Sequence, residues 1–170
     1  MSANGMLAGL VAITAPCAFV NAPSAVFIGL IAGVLVVESV LFLERKWKVD
    51  DPVGAVSVHG TCGAWGVIAL GLFADGTYGD GLNGVPGGVR GLLYGDVGQF
   101  AAQLIGPLTN LVFIFAVSWL FFKLLDALLG MRVSKRVEVV GLDFHEVTPP
   151  AYEETPSPIL FPAPASGGSE

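Results

Sequence analysis

A histidine, His59, lies in a long apolar stretch where an ionisable side chain is unexpected. Between Asp51 and Asp75 the chain carries no Asp, Glu, Lys or Arg. Ionisable side chains at bilayer depth are costly, and they usually face the interior of a helix bundle or a water-filled path. An imidazole can also gain or lose a proton near neutral pH. His59 is therefore a candidate to line a pore and handle protons, and the alternative is a neutral histidine hydrogen-bonded to a neighbouring helix.

A metal site is a second chemistry to consider, because Cys62 follows His59 by three residues. Structural zinc sites take four protein ligands and catalytic sites take three. The other histidine and cysteine, His145 and Cys17, form no second pair at ligand spacing. The chain also lacks a phosphate-binding glycine loop and a nucleophile elbow. We therefore expect no metal, no cofactor and no enzymatic activity.

Two carboxylates, Asp50 and Asp51, stand before Pro52 at the start of the segment that contains His59. An acidic residue at the helix N-cap with proline at the first helical position is a favourable start, and the helix dipole favours negative charge there. The pair is predicted to cap the helix. An ion-binding role for Asp51 in a vestibule at the cytoplasmic end is the alternative.

The composition indicates an all-α membrane protein with several spans. Charged residues make up 13% of the chain and hydrophobic residues 54%, whereas soluble domains have about 25% charged residues. Segments of bilayer length need about 20 apolar residues. Four segments approach that length, and we predict about four transmembrane helices over residues 5–20, 25–43, 51–73 and 98–129.

The four segments differ in quality. The first is short, and Pro16 stands near its end, where it would break a helix. The fourth would be about 48 Å long at about 1.5 Å per residue, so it must tilt, kink or protrude. Glu38 is expected to pair near the end of the second helix with Arg45 or Lys46, or within the bundle. Lys123 and Asp126, three residues apart, are expected to form an ion pair.

The distribution of charge predicts the orientation. Basic residues follow the second and fourth segments, and such residues concentrate on the cytoplasmic side. Residues 1–130 are thus the membrane region, 131–152 a cytoplasmic tail, and 153–170, rich in proline, a disordered extension. Five of the fourteen acids follow Gly141, and no clustered basic face supports binding to nucleic acid.

The stretch Val49 to Phe73, VDDPVGAVSVHGTCGAWGVIALGLF, resembles the ammonium transporter family, the Amt branch of the Amt/Rh channels. The resemblance extends upstream to NGMLAGLVAIT and downstream to the Gly141-Leu142-Asp143 element. It implies that the four spans are the last four of eleven helices, at the C-terminal end of a homotrimeric transporter. It also implies that His59 is one member of a pair of pore histidines and that Thr14 lies near the pore.

Ammonium or ammonia transport is the function that this resemblance implies, with the upstream part of the transporter completing the pore in the cell membrane. The chain would not conduct alone, because the first pore histidine is absent from it. The tail lacks the His-Gly pair that the family often carries between its GLD and AY elements, which puts regulation through the tail in doubt. The alternative is a truncated membrane subunit that binds a cytoplasmic PII-type nitrogen-regulatory protein.

Overall fold

Five α-helices make up most of the computed structural model, which describes residues 1–84, 86–140 and 142. They are α1 (Ser2–Thr14), α2 (Ala22–Phe42), α3 (Cys62–Phe73), α4 (Val97–Leu129) and α5 (Lys135–Val140). Leu43–Trp47 extends α2 as a π-helical turn, and Val56–Thr61 leads into α3 in the same way. The chain forms two units, Met1–Ser118 and a second that begins at Trp119. The predicted elements after 142, including the extension 153–170, lie outside the described residues.

Three of these helical stretches are long and apolar enough to cross a membrane: Ala22–Trp47, Val56–Phe73 and Val97–Leu129. Four such helices are expected from the sequence, and three reach this length in the described part of the chain. The exception is α1, which has 13 residues and ends at Thr14 rather than near residue 20. Its end is explained by Pro16, which has no N–H to donate to the carbonyl of Ala12.

In the first unit, α1, α2 and α3 pack against one another. On α2, every fourth residue of one face is buried, namely Ile28, Ala32, Val36 and Val40. The facing positions of α1 and α3 are mostly small, with Ala8, Ala12, Cys62 and Ala69 fully buried. Small side chains let helix backbones approach closely, which is how helices gain packing contacts when lipid offers no hydrophobic driving force.

The closest approach of α1 and α3 is at Gly66. A Cβ built on this glycine would meet the Ala12 carbonyl oxygen and would lie 3.0 Å from the Ala12 carbonyl carbon. The neighbouring Gly63 has more space, since its Cβ would lie 3.7 Å from a Val11 methyl group. The absence of a side chain at position 66 therefore sets the distance between the two helices.

At one end of the bundle, the loop after α3 folds back onto the start of α2. The Asn21 side chain caps α2 by accepting a hydrogen bond from the Ser24 amide (3.0 Å), and its amide group donates to Asp75 (3.2 Å). The backbone of Asp75 also forms a single antiparallel bridge with Arg90. Residues 74–96, which look like an open glycine-rich loop in the sequence, are thus tied to the helices.

In the second unit, the expected Lys123–Asp126 ion pair does not form. The Lys123 ammonium lies 5.6 Å from the centroid of the Trp119 ring, and the Asp126 carboxylate accepts a hydrogen bond from the Met131 amide at 3.0 Å. The Asp126 side chain therefore ties the turn after α4 to the end of the helix. Among the described residues of this unit, an ion pair joins Arg132 to Glu138 at 2.7 Å, between two exposed side chains.

At the other end of the bundle, a buried carboxylate precedes the spanning helix Val56–Phe73. Asp51 is 4% exposed, and it accepts hydrogen bonds from the amides of Val56 (3.1 Å) and Ser57 (3.0 Å) and from the Ser57 hydroxyl (2.9 Å). Burial favours the neutral form of Asp51, but these hydrogen bonds outweigh it and lower the pKa of the carboxyl below its ordinary 3.8. Pro52 stands in the turn before the helix, not at its first position.

We expect Gly66→Ala to destabilise the bundle, because the new methyl group cannot be placed without moving the Ala12 backbone. Overpacking of this kind costs about 1 to 3 kcal/mol. Thermal unfolding in detergent micelles measures it, with Gly63→Ala as the control that adds a methyl group where there is room. Equal unfolding temperatures for the two variants would contradict the close contact.

Asp51→Asn is expected to lower the free energy of unfolding at pH 7 by about 1 to 3 kcal/mol, since an amide replaces a charged acceptor of three hydrogen bonds. Because the folded pKa is lowered, the stabilisation is present above the ordinary 3.8 and is lost as the pH falls through the folded value. Denaturant titrations at pH 7 and at a series of pH values below 3.8 should therefore show the two proteins converging as the pH falls. The exposed Asp50 provides the control, and an Asp50→Asn loss of similar size would refute the assignment.

Candidate functional site

His59 lies in the π-helical turn Val56–Thr61, at the start of the spanning helix Val56–Phe73. The sequence predicts a helix that starts at Asp51 and reaches His59 after about 12 Å. The helix instead begins at Val56, so His59 lies only about 4.5 Å along it. A π-helical turn holds more residues than an α-helical turn. Such turns are rare in proteins, and those that occur are often found at functional sites. The turn therefore changes the direction in which position 59 points relative to α3.

The His59 side chain is exposed, whereas its neighbours Ser57 and Val58 are buried. The imidazole forms no hydrogen bond with any residue that the structure describes. The alternative of a core histidine bonded to a neighbouring helix of this chain is therefore not what is observed. The ring instead points out of the three-helix bundle, where a group or helix beyond these residues can reach it.

Three hydrogen bonds hold the His59 segment against α2. The hydroxyl groups of Ser39 and Thr61 share one at 2.8 Å, and the Trp65 indole donates to the Ile28 carbonyl at 3.1 Å. The Cys62 thiol donates to the Ala32 carbonyl at 3.6 Å. These bonds all leave from one side of the helix, which leaves the His59 side free.

The N-terminus of α1 supports the same turn from another direction. The Asn4 side chain donates to the Val53 carbonyl at 3.3 Å, and Gly54, at a φ of 73°, packs directly against Asn4. A residue with a Cβ would be strained in that conformation and would clash there. Together with the Asp51 hydrogen bonds, this contact fixes the loop from which the His59 turn begins.

The other site residues expected from the sequence do not gather around His59. Thr14 is exposed, and its hydroxyl donates to the Leu10 carbonyl of its own helix at 2.8 Å. Since Ala12 lies level with Gly66, Thr14 is more than about 10 Å farther along the bundle than His59. Asp50 is exposed and forms no side-chain hydrogen bond with the described residues, while Asp51 bonds to Val56 and Ser57 rather than to the imidazole.

A metal centre has no support among the described residues, where no group of three or more His, Cys, Asp and Glu side chains comes close enough to hold an ion. Cys62 is buried against α2 and His59 is exposed, so the two side chains leave the helix on different sides. The sequence analysis missed three residues that hold the His59 turn. Ser57 donates to Asp51, Asn4 donates to Val53, and Thr61 shares a hydrogen bond with Ser39. Only Ser57, a small polar residue six positions after Asp51, could have been recognised from the sequence.

Comparison with known proteins agrees with this picture of a helical membrane protein. Residues 1–152 match the model of the Ammonium Transporter Family. Ammonium transporter Amt2 of Archaeoglobus fulgidus is 47% identical over 152 residues, which are 89% of this chain and 32% of that protein. An ammonium transporter of Bacillus subtilis is 34% identical over 152 residues, covering 89% of this chain and 36% of the relative.

Two solved structures share the fold. One, titled Sensor Amt Protein, has a TM-score of 0.68 and 36% identity over 84% of this chain and 33% of its own. The other is Mep2 of Saccharomyces cerevisiae, with a TM-score of 0.72 and 27% identity over 91% of this chain and 34% of its own.

The chain spans about a third of the length of the relatives it matches. The expectation that this third is the C-terminal one, with the last four of eleven helices, is not confirmed by these comparisons. The family itself is shown, because the match covers residues 1–152 of 170. This chain is a member of the ammonium transporter family.

Proposed function

We propose that this chain forms part of a transporter for ammonium or ammonia, in which His59 lines the conducting path. The observation that carries the proposal is an exposed imidazole in the first turn of a membrane-length helix, in a chain of this family. A titratable ring on the exposed side of an apolar, membrane-length helix is better placed facing protein or water than lipid.

His59 has the chemistry that such a path needs. A neutral imidazole presents one nitrogen that donates a hydrogen bond and one that accepts, so it can bind ammonia and exchange a proton with ammonium. The resemblance supplies a second histidine outside this chain, and Thr14 would lie near the path at another depth. Asp51, Ser57 and Asn4 then act as positioning residues, because they hold the turn that carries His59.

The same proposal sets the topology. Arg45, Lys46 and Lys48 follow α2, and Arg132 and Lys135 follow α4, so both ends belong on the cytoplasmic side of the cell membrane by the positive-inside rule. The Asp50–Asp51 end of the bundle then faces the cytoplasm, with α1 as a fourth, short span supported by its neighbours. The remaining two thirds of the family's length complete the pore, in what the resemblance implies is a homotrimer.

Replacing His59 by alanine tests the proposed role in the complete transporter. We expect methylammonium uptake to fall by about 100-fold, as when a proton-transferring side chain is removed. His145→Ala is the control, since it removes the other histidine of the chain. Unchanged uptake and selectivity in His59→Ala would remove the proposed role, and uptake into liposomes that hold this chain alone would refute its dependence on other helices.

A second candidate function is suggested by the solved relative whose title names a sensor. In that case residues 132–152 would bind a cytoplasmic PII-type regulatory protein. The described part of this segment holds the Arg132–Glu138 ion pair and the basic residues Lys135 and Arg136.

Pull-down with the chain in micelles tests this candidate. We expect a PII-type protein to be retained by the chain and not by a variant that lacks residues 132–152. Equal retention by both forms, or no retention under any effector condition, would count against the candidate.

A further inference from the structure

The second helix, α2, carries one charged side chain on an outward face that is otherwise apolar. Val26, Leu30, Val34 and Phe42 lie on this face at four-residue spacing or its multiple, with exposed fractions between 44% and 66%. Glu38 continues the same series and is also exposed. We call these five residues the outer face of α2. The opposite face of the helix is buried against α1 and α3.

The depth of Glu38 makes a lipid environment for its carboxylate costly. The spanning stretch Ala22–Trp47 has 26 residues, or about 39 Å, against a hydrocarbon thickness of about 30 Å. Glu38 lies seven residues, or about 10 Å, before Arg45, the first basic residue of the stretch. With Ala22 at one boundary of the hydrocarbon, the other lies near residue 42, about 6 Å from Glu38, and a shift of the helix makes this distance longer. The short glutamate side chain does not reach past that boundary. Acidic side chains at such a depth pair with protein groups or face water.

Its own chain does not supply a partner for Glu38 among the described residues. No ion pair joins it to Arg45 or Lys46, and the Lys46 ammonium lies 5.9 Å from the Phe42 ring centroid. The nearest hydroxyl in sequence, Ser39, is already bonded to Thr61 on the buried side of the helix. The expectation that Glu38 pairs with Arg45 or Lys46 is therefore wrong for this structure.

We propose that the outer face of α2 packs inside the membrane against a helix of the same transporter that lies outside residues 1–170, and that this helix donates a hydrogen bond to Glu38. The donor is a side chain that carries N–H groups, cationic or amide. The inference rests on the proposed function in one respect, since the relatives are about three times as long as the matched region. A second copy that presents the same face would instead bring two carboxylates together, which is unfavourable.

Photo-crosslinking in membranes tests which molecule covers this face. Benzoylphenylalanine is placed at Val34, one turn from Glu38, in the complete transporter, and the adducts are identified by mass spectrometry. We expect an adduct with a peptide of the same transporter outside residues 1–170. Adducts with lipid alone, or with a second copy of these residues, overturn the proposal.

The role of the carboxylate is tested by comparing Glu38→Gln with Glu38→Leu in the crosslinking protein. Glutamine keeps a hydrogen-bond acceptor, so its crosslink yield should stay near that of the parent protein. Leucine removes the acceptor, and the yield should fall between about threefold and about twentyfold, the range for interhelical hydrogen bonds in bilayers. Leu30→Ala on the same face provides a control with no hydrogen bond to lose.

This experiment can overturn the packing of the outer face of α2 without overturning the transport function, and the reverse also holds. Crosslinking at Val34 does not require that the protein transports ammonium. An equal yield for Glu38→Leu and the parent protein overturns the hydrogen bond to Glu38. A Val34 adduct within a protein that takes up no methylammonium would leave the packing surface intact and overturn only the proposed function.

Discussion

The hydrogen bonds accepted by Asp51 determine where the spanning helix Val56–Phe73 begins, and the placement of His59 depends on them. The first amides of any helix lack partners within the helix, and in a membrane no water replaces them. Asp51 supplies this acceptor from the preceding loop, to the amides of Val56 and Ser57. This loop is held in turn by Asn4 of α1, which donates a hydrogen bond to Val53 and packs against Gly54. The start of the helix is thus fixed by Asp51 within the loop and by Asn4 from the neighbouring helix.

The rest of the first unit follows from the same need to satisfy polar groups without water. The thiol of Cys62 and the indole of Trp65 donate to carbonyl groups of α2, and Ser39 bonds to Thr61, so α2 and α3 are joined by polar contacts along their length. The contact of α3 with α1 is of another kind, since it depends on the missing side chain of Gly66. One side of α3 is thus used for hydrogen bonds and another for close packing.

Much of this fold could be predicted from apolar length alone. The spans at 25–43 and 98–129 correspond closely to Ala22–Phe42 and Val97–Leu129, because a bilayer accepts few structures other than helices of that length. The end of α1 at Thr14 and the late start at Val56 were missed. The end at Thr14 follows from Pro16, which marks only the approximate end of the apolar segment. The start at Val56 follows from Asp51, which accepts hydrogen bonds from a turn that Asn4 holds. The π-helical turn differs from an α-helix by the choice of hydrogen-bond partner, which residue pattern does not specify.

The candidate site was predictable to the extent that a single residue type carries it. His59 could be singled out because a titratable ring in an apolar span is costly when it faces lipid. The exposure of His59 could not be predicted. It depends on which side of the helix forms hydrogen bonds with α2, because the other side is left exposed. For Glu38, the sequence shows that a carboxylate in an apolar span needs a partner. The partners expected from the sequence, Arg45 and Lys46, lie on the same helix and do not pair with it in the structure. In the structure both side chains point away from the bundle, from different helices. The proposed contacts of this bundle with other helices of a longer transporter would explain why His59 and Glu38 both face outward from its apolar spans.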